Sequence, residues 1–209
     1  MSPTTFPPAV LAAILSACAT EPVLLNSQRI EQRFGSYGIA VLASEAGLRR
    51  SSLYSLGNGE PTCRTYAVVR FADQLDDRYR EEHTKVLAGN SIGAIFRSQG
   101  WNLHKQTLHI GSLALPRENT SIGELMRITG PQGLALHIYQ LLLVRQEQVL
   151  DYATILESHH PDYLTEDDLR DLYEYDTETA LQDVAVAGLK ALVLDSQEPQ
   201  QPVCRGATL

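Results

Sequence analysis

Two β-type runs, residues 48–56 and 63–71, flank the segment Leu56-Gly57-Asn58-Gly59-Glu60-Pro61. Gly and Asn tolerate positive φ, so that segment is turn chemistry, and the β-branched and aromatic runs on either side become antiparallel neighbours. A preceding run, Gly38-Ile39-Ala40-Val41-Leu42, joins the first of them through a turn at Glu45, Ala46 and Gly47. Three consecutive strands of this kind commit the chain to an antiparallel sheet that needs helices to cover it.

The remaining segments supply that cover. Asn26 or Ser27 caps a helix that runs to about residue 34, with Ile30 and Phe34 on one face and Gly35 ending it. Residues 76–87 have helical spacing, Ser91 caps a helix over 92–99, and residues 101–110 read as the next strand. A Gly- and Pro-rich connection over 111–133 holds one short helical patch at 122–128. Residues 134–145 and 150–158 form a second hairpin. Thr165-Glu166-Asp167-Asp168 is a capping-box pattern opening an acidic helix, and 177–194 is a last helix with Leu181, Val184 and Val193 inward. The expected fold class is α+β: an antiparallel sheet with helices covering one side, a single domain over 21–195 and a flexible tail over 196–209.

Charge narrows the function. The net charge of −8 is local, because residues 151–178 carry ten carboxylates against Arg170 alone. Basic residues such as Arg49 and Arg50 occur as isolated pairs, so no nucleic acid partner is expected. No Gly-x-Ser-x-Gly, no P-loop, no dinucleotide fingerprint and no Cys-x-x-Cys is present. No cofactor is called for.

The N-terminus has its own signature. A short apolar run ends in Leu15-Ser16-Ala17-Cys18, the lipobox pattern of a lipoprotein precursor, and marks residues 1–20 as a candidate leader with Cys18 as the lipidation site. The expected location is the cell envelope or periplasm, with contact to the membrane only through that lipid anchor. The alternative is a helix packed on a cytoplasmic protein. Neither this run nor residues 138–144 is long enough to span a bilayer. In an oxidising compartment Cys63 and Cys204 can pair; in the cytosol both are free thiols.

Four segments follow one another in an order that resembles the chorismate lyase family: Asn26-Ser27-Gln28-Arg29-Ile30-Glu31-Gln32-Arg33-Phe34, Cys63-Arg64-Thr65-Tyr66-Ala67-Val68, Gly89-Asn90-Ser91-Ile92-Gly93 and Leu108-His109-Ile110-Gly111. The resemblance covers residues 25–111. It extends to the ligand-sensing domains of GntR-type regulators and implies a chorismate-lyase-like core with a buried small-molecule pocket. Carried over by position, Arg64 grips a ligand carboxylate, Ile92 and Gly93 offer backbone N–H groups, and His109 stands where the family has a glutamate, as the candidate catalytic acid. The ligand implied is aromatic or carboxylated, and the reaction, if there is one, is a cofactor-free elimination of pyruvate. By alternation, His109 shares a strand face with Thr107.

Glu157, His159 and His137 form the densest ionisable group; a strand end is preferred over a metal site there, and no metal is assigned. The alternative function is an envelope lipoprotein acting through protein interaction, with the acidic stretch 151–178 as its contact surface.

Overall fold

A computed structural model describes residues 7–19, 24–45, 47–115, 121–129, 132–173 and 183–194. Helix α1 (Pro8–Ala19) and α2 (Asn26–Phe34) precede strands β1 (Gly38–Glu45), β2 (Leu48–Gly57) and β3 (Glu60–Phe71). A 3-10 turn (Asp77–Tyr79), α3 (Arg80–Leu87) and α4 (Ile92–Ser98) lead to β4 (Asn102–Ala114) and α5 (Ser121–Met126). Strands β5 (Gly133–Arg145) and β6 (Gln148–His159) are followed by α6 (Glu166–Leu172) and α7 (Asp183–Leu194). Cys204, Leu181 and the tail from residue 195 lie outside the described residues.

The strands form one antiparallel sheet in the order β1-β2-β3-β6-β5-β4. The α+β class read from the sequence is the observed one. Helices α2, α3, α4 and α6 cover one face, here the front. The structure adds a second layer: α5 and α7 pack on the back through Ile122, Met126 and Val186, against Tyr66, Val68, Leu136, Ile138 and Leu156. Front-face neighbours such as Val69, Tyr139, Leu141 and Ile155 alternate with them along the same strands. Helix α1 lies at the sheet's far end, where Ile14 packs on the back-face residues Leu142 and Val144. Among the described residues, no helix is long and apolar enough to cross a membrane.

Local chemistry sets the helix ends. Gly35 closes α2 at φ 73°, a left-handed conformation that glycine adopts without a Cβ clash. At the start of α2 the cap falls on Leu25, because the Asn26 side chain is used elsewhere: its Nδ2 donates to Thr65 Oγ1 at 3.1 Å. Gln28 serves instead, accepting the Leu25 N–H at 2.9 Å. The helix expected over 76–87 starts as a 3-10 turn, in which Asp76 accepts the Arg78 N–H. The capping box at Thr165 forms as read, with Thr165 N–H donating to Asp168 at 2.8 Å and Asp168 N–H returning to Thr165 Oγ1 at 3.2 Å.

Of four register irregularities in the sheet, two bear on the expected site residues. On β3, Thr65 pairs with Leu53 and Cys63 with Tyr54, leaving Arg64 as the extra residue. On β4, Thr107 pairs with Tyr139 but His109 with Ile138, leaving Leu108 as the extra residue. A one-residue insertion exchanges the faces of everything beyond it. Thr107 therefore faces front and His109 faces back, contrary to the alternation expected from sequence. The His109 ring lies over Gly111, where a Cβ would stand 2.7 Å from its Nε2.

Candidate ligand cavity

Between the front of the sheet and helices α2, α4 and α6 is a cavity of about 700 Å³, within the size range of small-molecule sites. The residues that line it from the sheet include Arg49, Ala67, Val69, Tyr139, Leu141 and Ile155. They come from four strands, and the register places them in rows: Arg49 opposite Val69, Val69 opposite Ile155, and Ile155 opposite Tyr139.

Arg49 is 2% exposed. Its Nε donates to Ser51 Oγ at 3.0 Å, and its Nη1 to the carbonyls of Val86 and Asn90 at 2.9 and 3.0 Å. All three acceptors are neutral. Burial depresses the guanidinium pKa, opposed only by the phenols of Tyr152 and Tyr37. Arginine does not lose its proton in a protein, so the described structure holds a full positive charge, without a carboxylate partner, in the cavity wall.

The second polar centre is internally balanced. Lys105 Nζ donates to Glu157 Oε2 at 3.2 Å and to Tyr173 Oη at 3.4 Å, and it lies 4.2 Å from the centre of the Tyr139 ring. Burial disfavours the ammonium, but Glu157 and the two tyrosines outweigh it and hold the Lys105 pKa well above its usual value. Burial likewise disfavours the Glu157 carboxylate, and Lys105 with His159 and His137 overcomes that and lowers its pKa to about 2. Asn26 Nδ2 also reaches Glu157 Oε1, at 3.4 Å. Arg29 Nη1 donates to Tyr173 Oη at 2.8 Å and fixes the tyrosine that closes this centre.

Beneath the pair, His137 and His159 are neutral. Burial first, then the Lys105 charge, takes the His137 pKa to about 2; burial takes that of His159 to about 4, against the pull of Glu157. A threonine fixes each ring: Thr107 Oγ1 is 3.1 Å from His137 Nε2, and Thr65 Oγ1 is 3.0 Å from His159 Nδ1. The sequence had grouped His137, Glu157 and His159, and the fold does bring them together. The Lys105 ammonium takes the place beside the carboxylate, and among the described residues no group of three His, Cys, Asp or Glu is arranged to hold a metal ion.

Of the site residues carried over by resemblance, Ile92 and Gly93 line the cavity. At Gly93 a Cβ would come within 2.7 Å of a Leu25 methyl, so Leu25 would have to shift to admit one. Cys18 borders the cavity from α1 with a free thiol. Arg64 and His109 are not in the wall. The Arg64 bulge sends its guanidinium over the Phe34 ring at 3.9 Å, with Nε donating to Ser55 Oγ at 2.8 Å, and the β4 bulge turns His109 to the back. Arg49, Lys105 and Tyr173 were not singled out from sequence as site residues. Strict pairing outward from the Gly57–Glu60 turn would set Leu48 opposite Val69; the extra residue at Arg64 brings Arg49 there instead, so no sequence pattern marked it. Cys63 is buried on the back, where desolvation pushes its thiol up to about 12.

No family model and no curated protein matches this chain. Among solved structures, it is similar to the crystal structure of a GntR-family transcriptional regulator from Enterococcus faecalis V583. That match has 12% identity and a TM-score of 0.31, over 68% of this chain and 96% of the other. A likeness this slight assigns neither a fold family nor an activity.

Proposed function

We propose that this protein binds a small molecule, and more particularly an organic anion, in the front-face cavity. The single observation that carries this reading is Arg49, a buried cation lining a cavity and bonded only to neutral groups. Burying a charge without a counter-charge is costly, and an anion entering the cavity supplies the missing partner through charge-assisted hydrogen bonds. The chorismate-lyase-like order of segments supports the same reading, with Arg49 in place of Arg64 as the anion anchor.

Binding is favoured over lysis. The acid expected at His109 faces away from the cavity, and Glu157 is held ionised by Lys105, so neither is a proton donor to a guest at neutral pH. The protein-interaction alternative is less well supported: among the described residues of the acidic stretch, Glu157 is buried against Lys105, Asp168 caps α6 and Glu166 pairs with Arg170. Export with acylation of Cys18 is a separate proposal resting on the lipobox. Labelled palmitate should enter the wild type and not Cys18→Ser.

The test of the binding reading is titration with anilinonaphthalene sulfonate and its uncharged parent amine. The sulfonate should bind one to one and more tightly than the amine. Arg49→Met should weaken it at least about tenfold, the loss expected for a hydrogen-bonded charged contact. Equal binding of both probes, or unchanged affinity in a folded Arg49→Met protein, overturns the assignment.

A further inference from the structure

The cavity is long. Its lining extends from Ile39 on β1 to Leu103 on β4, which are the two edge strands of the sheet. Five interstrand spacings of about 4.8 Å put those edges roughly 24 Å apart. A volume of about 700 Å³ spread over that length makes the cavity longer than it is wide.

Its polarity runs opposite to that of an ordinary surface. Arg49, the charge without a carboxylate partner, is 2% exposed, while Leu24 and Leu172, which also line the cavity, are 43% and 40% exposed. Between them the wall passes along Val69, Ile155, Leu141 and Leu103. The Lys105–Glu157 pair beside this path is closed on itself. Toward the β4 edge Ala13, Ala17, Leu103 and Leu172 supply apolar lining, and the cations there, Lys105 and Arg97, are bonded to Glu157 and Gln28. Exposed leucines around a cavity mouth, with a charge at its base, fit a guest whose head is polar and whose trailing part is hydrocarbon.

We propose that the cavity takes an anionic amphiphile, a single-chain carboxylate of the fatty-acid class, with the head at Arg49 and the chain directed toward the β4 edge. This deepens the anion-binding reading and rests on it. A compact polar anion would satisfy Arg49 and leave the apolar length filled with water. An alkyl chain covers that length, and each methylene buried strengthens binding by about fourfold (~0.8 kcal/mol).

The experiment is calorimetric titration of the full chain with hexanoate, decanoate and dodecanoate, each below its micelle concentration, alongside benzoate, dodecanol and dodecyltrimethylammonium. Affinity should climb steeply from hexanoate to dodecanoate, and dodecanoate should exceed dodecanol and the cationic surfactant by at least tenfold. Leu172→Glu, a change at an exposed position, should weaken dodecanoate and leave hexanoate unchanged. Affinity independent of chain length, with benzoate as tight as dodecanoate, overturns the amphiphile and leaves the anion site standing. Failure of every anion, anilinonaphthalene sulfonate included, removes both readings. Equal binding of acid, alcohol and cationic surfactant overturns the proposal, since it is what unselective apolar adsorption gives. An Leu172→Glu protein that loses both acids equally, or neither, overturns the direction of the chain.

Discussion

The two faces of the sheet are made by the same strands and differ in kind. Behind it, α5 and α7 meet Tyr66, Val68, Leu136, Ile138 and Leu156 in a mainly hydrocarbon core, in which Ser52, Ser158 and the Cys63 thiol are also buried. In front, the same strands bury Thr65, Glu157, His137 and His159, and β2 adds Arg49. Polar burial is stabilising only when each group is partnered, so a face that buries charged groups is built at a greater cost in stability than the back. The back holds the fold together. The front holds a charge in readiness for a guest.

The contrast can be broken most forcefully at Glu157. Glu157→Ala leaves the Lys105 ammonium buried without its carboxylate and should destabilise by about 3–5 kcal/mol, measured by urea unfolding. Replacing both members together, Lys105→Met with Glu157→Gln, should restore most of that loss. On the back, Leu136→Ala should cost about 2–5 kcal/mol through its cavity and leave the affinity for anilinonaphthalene sulfonate unchanged. A large change in that affinity would mean that the two faces are not separable.

Acid should act most strongly through the front. The histidine pKa values are depressed in the fold, to about 2 for His137 and about 4 for His159, from an ordinary 6.5. The unfolded chain therefore binds protons in that interval that the folded one refuses, and stability falls as pH drops below about 6.5. Each such proton contributes a slope of about 1.4 kcal/mol per pH unit. Glu157 adds to the decline below its unfolded value of 4.5, toward its folded value of about 2. A melting temperature that stays flat from pH 7 to pH 4.5 would show that the histidines are not held neutral. The smallest effect should come at Arg49, where Arg49→Met should change stability by only about 1 kcal/mol, because relief of an unpaired buried charge opposes the loss of its three hydrogen bonds.

Most of the architecture was legible from local chemistry: the turn at Gly57-Asn58-Gly59, the alternation of the strands, the Gly35 stop and the Thr165 capping box. The site was legible only in part. Ile92 and Gly93 follow a glycine turn whose position the sequence marks, and His137, Glu157 and His159 alternate on strands whose limits it also marks. Arg64 and His109 were misplaced for one reason. Each sits at or just beyond a bulge, and the extra residue that turns a strand over leaves no trace in a hydrophobic pattern. Lys105 escaped notice because a lysine on an edge strand ordinarily faces water, and only the tertiary fold brings Glu157, Tyr139 and Tyr173 around it.

The extra residue at Leu108 makes β4 editable by length as well as by substitution. Losing one codon there would restore strict alternation. Unless the strand slid to compensate, an imidazole would swing toward the guest, or the ammonium and hydroxyl now beside it would swing away. Descendants of this chain could thus change what they hold by a single-residue indel, leaving every other wall intact.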